Sequence, residues 1–201
     1  MNSLKWLIPV GLIGIFIFSV YGWVVGFNNR AVTLKEDSKA SWGNVESSYQ
    51  RRNDLIGNLV NTVSGAANFE KSTLTAVIEA RAKATSVTID PSNVSPEQLV
   101  AFQKSQTGVS SALSRLLVSV ERYPELKANQ NFLNLQTELE GTENRIKISR
   151  DRYNESVNPY NVLILSFPNS ILSGYFGFKE LPYYKSDPGA EKAPTVKFDF
   201  K

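Results

Sequence analysis

Any chemistry in this chain must be done without histidine and without cysteine, because neither occurs among its 201 residues. A Ser-His-Asp triad, a Cys-His pair, an ordinary zinc site, an iron–sulfur cluster and a disulfide are therefore excluded. Carboxylates and guanidinium groups remain. The densest polar cluster is Arg51, Arg52, Asp54 and Asn58, followed by Asn61. A second set, Glu143, Arg145, Arg150, Arg152, Asn154, Asn158 and Asn161, lies far along the chain. Asp54 and Glu143, converging on one pocket with one pKa raised by burial, would supply the acid and base of a hydrolase. No nucleophile accompanies them. The favoured reading is that Arg52, which falls on an apolar helix face, is neutralised by one of these carboxylates and fixes helix register.

Metal and phosphate chemistry fare no better. The di-metal pattern of four-helix bundles needs Glu-x-x-His, and no Asp-x-Asp-x-Asp-Gly loop, Walker loop or dinucleotide fingerprint is present. No catalytic residue, cofactor or metal is assigned, and no enzymatic activity is expected. A net charge of +3 from 22 basic and 19 acidic residues is too small for a nucleic-acid interface, so no nucleic-acid partner is expected either.

The elements that must position these groups are helices. Trp42, Val45, Tyr49, Ile56, Leu59, Val63 and Ala66 recur with heptad spacing, interrupted at Arg52, on a proline-free segment from about 31 to 67. A shorter helix follows over about 70–84. Asp90-Pro91-Ser92-Asn93 makes a turn, and Ser95-Pro96-Glu97-Gln98 carries a cap, a first-turn proline and a box partner for a third helix. Its heptad positions run from Leu99 and Phe102 to Val120 and Tyr123, interrupted at Gln106, until Pro124 stops it. The last helix begins near Asn129 and runs through Phe132, Leu139, Ile146, Tyr153 and Tyr160 to Phe167, with the small hydroxyl residues Thr142, Ser149 and Ser156 on the alternate heptad position. With the second and third helices in series, the lengths predict an elongated antiparallel bundle of three long rows. A four-row bundle is the alternative, and only that one returns the last helix to the membrane.

The membrane expectation rests on residues 6–27, which carry no charge and match the roughly 20 residues needed to cross a hydrocarbon core. Trp6 at one end and Tyr21, Trp23 and Phe27 at the other suit the two interfaces, between Lys5 and Arg30. A cleaved signal peptide is the weaker reading, since only Val24-Val25-Gly26 resembles a cleavage site. Lipoprotein processing has no cysteine to use. Arg30, Lys35 and Lys39 lean towards a cytoplasmic main domain, with the side left open. Gly22 and Gly26 form a GxxxG pair that would let two spans approach. The expected organisation is a tail over 1–5, a transmembrane helix over 6–27, a bundle over 28–167 and an aromatic segment with tail over 168–201. That last segment sits partly in an uncharged run from Ser156 to Phe178. The run either completes the core or exposes Phe167, Tyr175, Phe176 and Phe178 as an interaction surface, to which Phe198 and Phe200 of the strand-like tail would add.

The assembled motifs resemble the LemA family of bacterial membrane-anchored helical proteins. The resemblance is carried by Trp42-Gly43-Asn44-Val45, the run from Tyr49 to Val60, Glu79-Ala80-Arg81 and the run from Glu121 to Ala128. It continues through Thr142-Glu143, Arg152-Tyr153-Asn154, Tyr160-Asn161, Phe167-Pro168 and Gly177-Phe178. Two positions depart from the family pattern, with Gly57 in place of a usual proline and Phe69 in place of a frequent histidine. The resemblance implies an all-α chain with one N-terminal span, at the bacterial inner membrane, without established enzymatic activity. Some relatives are tied to the formation of membrane organelles, which implies a scaffold. The expected partners are the lipid bilayer, further copies of the chain as a homo-oligomer, and a membrane protein partner. An adaptor that binds a partner through its aromatic end, and the carboxylate hydrolase above, are the alternatives.

Overall fold

A computed structural model describes the backbone of residues 3–66 and 69–185, with side chains from residue 7 onward. Among the described residues six helices follow in order: α1 (Ser3–Ser64), α2 (Lys71–Thr85), α3 (Pro96–Val120), α4 (Pro124–Lys127), α5 (Gln130–Leu165) and α6 (Asn169–Phe176). No strand occurs among the described residues. The chain is an all-α bundle behind a long apolar N-terminal helix, as its periodicity predicts.

α1 is a single helix of 62 residues, about 93 Å long at 1.5 Å per residue. The expected boundary between membrane segment and bundle near residue 28 falls inside it without a break. Nothing in Asn28-Asn29-Arg30-Ala31 stops a helix, and Pro9 sits in the second turn, close enough to the start to be carried without breaking it. α5 runs antiparallel along α1. Descending α1 pairs with ascending α5: Arg52 with Glu143, Ser48 with Ser149, Ser38 with Ser156, and finally Trp23 with Asn169 beyond the end of α5. The small residues at the alternate heptad position explain this closeness. Ser38 donates both to its own Leu34 carbonyl and, at 3.1 Å, to the Ser156 carbonyl of the facing backbone.

The row count differs from the three-row expectation. α2 and α3 lie side by side and antiparallel, with Glu70 at the start of α2 paired to Arg122 at the end of α3. Ser72 and Arg115 line one hollow between them. The loop 86–95 then carries the chain back up the bundle, burying Ile89 and Val94. The distal half is thus four helices in section, and the last helix returns to the apolar end of α1.

The core comes in two apolar segments stacked along the axis. One gathers Phe27 to Tyr49 of α1 with Phe102, Tyr153, Tyr160, Leu181 and Tyr184, and the other gathers Leu55 to Val63 with Val77, Val109, Leu116 and Leu139. Between them lies a polar layer around Arg52. Phe69, at the departed family position, is buried against the Tyr123 ring at 4.8 Å and closes the distal core.

Candidate functional site

Arg52 is 2% exposed and sits where the heptads of α1, α3 and α5 are all interrupted. Its guanidinium donates to Glu143 Oε1 at 2.9 Å, Gln106 Oε1 at 2.5 Å and Ser110 Oγ at 3.2 Å. It also stands over the Tyr49 ring, 5.0 Å from the centroid. The interruptions at Arg52 and Gln106 therefore bond each other, and Glu143 follows directly on the third, Thr142. A cavity of about 110 Å³ opens beside them, lined among others by Gln103, Thr107 and Arg150.

Asp54 does not share this cavity. Two residues beyond Arg52, it points roughly 200° around the helix and is exposed. Asn58 is exposed as well. The convergence of Asp54 and Glu143 required by a paired-carboxylate hydrolase is not formed, and Glu143 is spent on Arg52. Arg51 faces the other side of the α1–α5 seam and pairs with Glu138 at 3.4 Å. With Arg145 and Arg152 it lines an open groove of about 460 Å³ that has no carboxylate in its wall.

Asn154 belongs to a device that the sequence reading did not identify. Tyr-Asn occurs at 153–154 and again at 160–161, one heptad apart. Each asparagine grips the backbone of the returning chain at both polar groups. Asn161 donates to the Leu181 carbonyl at 2.8 Å and accepts from the Leu181 amide at 2.9 Å. Asn154 does the same for Tyr184, at 3.1 and 2.8 Å. The tyrosines add bonds to the carbonyls of Pro182 and Lys179. Residues 178–185 are thereby strapped along α5, and Tyr184 is driven between Trp42, Tyr153 and the Arg150 guanidinium. Burial holds the Tyr153 and Tyr184 phenols well above the ordinary tyrosine value. Phe178, expected on an exposed surface, packs against the proximal core, because Gly177 turns the chain back at φ 73°.

At the apolar end, the indole of Trp23 donates to Asn169 Oδ1 at 3.1 Å. Phe27, expected as an anchor ring at the membrane interface, is 4% exposed and packs on Phe176 and Phe178, because α6 folds over it. Tyr21 is exposed, and a Cβ added at Gly22 or Gly26 would meet nothing within 4 Å. Phe167 and Tyr175 are open at 82% and 84%, and Phe176 at 41%. The Trp6 side chain and residues Phe198 and Phe200 lie outside the described parts.

A family profile described as the LemA family matches residues 41–198. Among curated proteins, the chain is similar to Magnetosome protein MamQ 1 of Paramagnetospirillum magneticum and Magnetosome protein MamQ of Magnetospirillum gryphiswaldense. Each is 29% identical over 180 residues, covering 81% of this chain and 66% of the relative. It is also similar to Protein LemA of Metamycoplasma hominis, 29% identical over 178 residues, covering 83% of this chain and 76% of the relative. The chain spans just under two thirds of the length of the magnetosome relatives it matches.

Proposed function

The chain belongs to the LemA family, and from that premise we propose that it is a single-pass membrane protein without catalytic function that self-associates and organises membrane assemblies. The observation that carries this reading is the unbroken α1. Its first part is long and apolar enough to cross a bilayer, and its second part is the spine of the bundle. A helix without a hinge transmits position, so the bundle is a stiff post fixed to the membrane.

The polar groups support the non-catalytic side of the reading. The one buried cation among the described residues is committed to Glu143, Gln106 and Ser110. The magnetosome relatives fit a role in membrane organisation, with the bacterial inner membrane as the site and a membrane protein as a further partner. Self-association is supported by Gly22 and Gly26, which lie one turn apart on an uncovered face and leave a shallow track for a second α1. Light scattering of the full-length chain in detergent and in nanodiscs tests this. A defined multimer that Gly22→Ile with Gly26→Ile reduces to monomer is expected, and a wild-type monomer in both media would overturn self-association.

A further inference from the structure

α6 and the turn before it carry apolar side chains that nothing among the described residues covers. Ile171 and Tyr175, four residues apart, share one face of α6 and are 64% and 84% exposed, and Phe167 in the preceding turn is 82% exposed. The opposite face is satisfied, since Ser173 is buried with its hydroxyl on the Ile164 carbonyl and Phe176 stacks on Phe27. α6 is therefore amphipathic by exposure, and it carries no charge at all.

Its height on the molecule says what covers it. Every α1 side chain from Leu7 to Trp23 is exposed, and Phe27 is the first that is buried. The Trp23 to Asn169 bond and the Phe27 to Phe176 contact hold α6 at that same level. From residue 6 to residue 23 α1 rises about 26 Å, close to the thickness of a hydrocarbon core of about 30 Å. α6 thus begins where the apolar surface of α1 ends.

We propose that α6 lies in the membrane interface on the bundle side of the span, with Phe167, Ile171 and Tyr175 inserted among lipids at the boundary of headgroups and acyl chains. The inference rests on α1 crossing the bilayer. The occupant is lipid because the face continues the apolar surface of α1 at the level of Tyr21 and Trp23, where rings of this kind settle. Arg30, one turn beyond Phe27, and Lys179, three residues beyond α6, place cations at headgroup level. A second contact beside the span would stop the bundle from turning about the α1 axis, so one fixed face of the rod would meet its neighbours.

The chain has no cysteine, so single thiols can be placed at will in the full-length protein. Ile171→Cys, Tyr175→Cys, Ile13→Cys and Lys147→Cys would each carry an environment-sensitive fluorophore in vesicles of phosphatidylcholine and phosphatidylglycerol. Labels at 171 and 175 are expected to shift to the blue, to be quenched by lipid spin-labelled high on the acyl chain, and to resist iodide. The label at 147 should do the reverse. If 13 is lipid-quenched but 171 and 175 respond to iodide like 147, the α6 proposal fails and the span stands. If 171 and 175 are shielded from both quenchers and spin labels there couple between copies, a second copy covers the face and the proposal is likewise overturned. Absence of lipid quenching at 13 would overturn both the span and the proposal.

Discussion

Arg52 shows how one residue divides the bundle. Its charge is buried between two apolar cores and is tolerable because three side chains take N–H groups of its two terminal nitrogens, while the buried Nε has no partner among the described residues. Arg52→Ala should destabilise the folded state by about 3 kcal/mol or more, because it leaves Gln106 unsatisfied and opens a void. Glu143→Gln should cost only about 1 kcal/mol, since Glu143 is 44% exposed and water can replace part of what it gives. Chemical denaturation followed by circular dichroism separates the two. Gly57 makes the opposite case. A Cβ there would meet the Arg81 guanidinium at 3.2 Å, the far end of a flexible side chain that can move aside. Gly57→Ala should therefore stabilise by up to about 1 kcal/mol, the helix-propensity gain. If it destabilises instead, Arg81 is held rigidly over that glycine. The polar layer was half legible in the sequence. Arg52 and Gln106 stood out as breaks in apolar heptads and Thr142 as a hydroxyl on the alternate position, but periodicity says only that a position is interrupted. Which carboxylate serves Arg52 depends on the register between α1 and α5, and that is settled in space.

At the scale of elements, the strap over 178–185 carries the proximal core. Asn161→Ala removes both grips on Leu181 and should release the strap. The expected result is accelerated amide exchange over 178–185, with the distal core around Leu59 and Leu116 still protected. Equal loss of protection in both halves would mean that the cores are not separable. The buried tyrosines also set a direction for pH. Tyr153 and Tyr184 stay protonated in the folded chain above the ordinary value of 10.0, whereas in the unfolded chain they ionise there. The unfolded state then binds fewer protons than the folded one, so stability falls as pH rises. Each of the two should contribute a loss of about 1.4 kcal/mol per pH unit above 10. Tyr184→Phe should make the alkaline unfolding curve measurably shallower. The long helices and the cap at Ser95 were legible, because periodicity and capping are local. The strap was not, since an extended chain held by asparagine side chains leaves no period in its own residues. Nor could lengths alone decide that α2 and α3 fold side by side. That choice follows from Phe69, Val77 and Leu116 sharing one core.

The bundle is a rod whose main hairpin pairs the part of α1 beyond Phe27 with α5, and the rest of α1 projects past the end of α5. The part of α1 beyond Phe27 and the length of α5 are each about 55 Å, so the distal turn at α4 stands that far from the apolar end. The aromatic crowding near the C-terminus was visible in the sequence, but its split into a buried part, Phe178, and an open part, Phe167 and Tyr175, depends on the turn at Gly177. Because α1 has no break between its apolar and bundle segments, the rod should stand away from the bilayer with only the modest tilt common to spanning helices. Neutron reflectometry of the full-length chain in a supported bilayer tests this central claim directly. A protein layer extending about 50 Å beyond the headgroups is expected. A layer no thicker than the bundle's width would mean that the rod lies flat on the membrane, and would contradict the continuity of α1 on which the account depends.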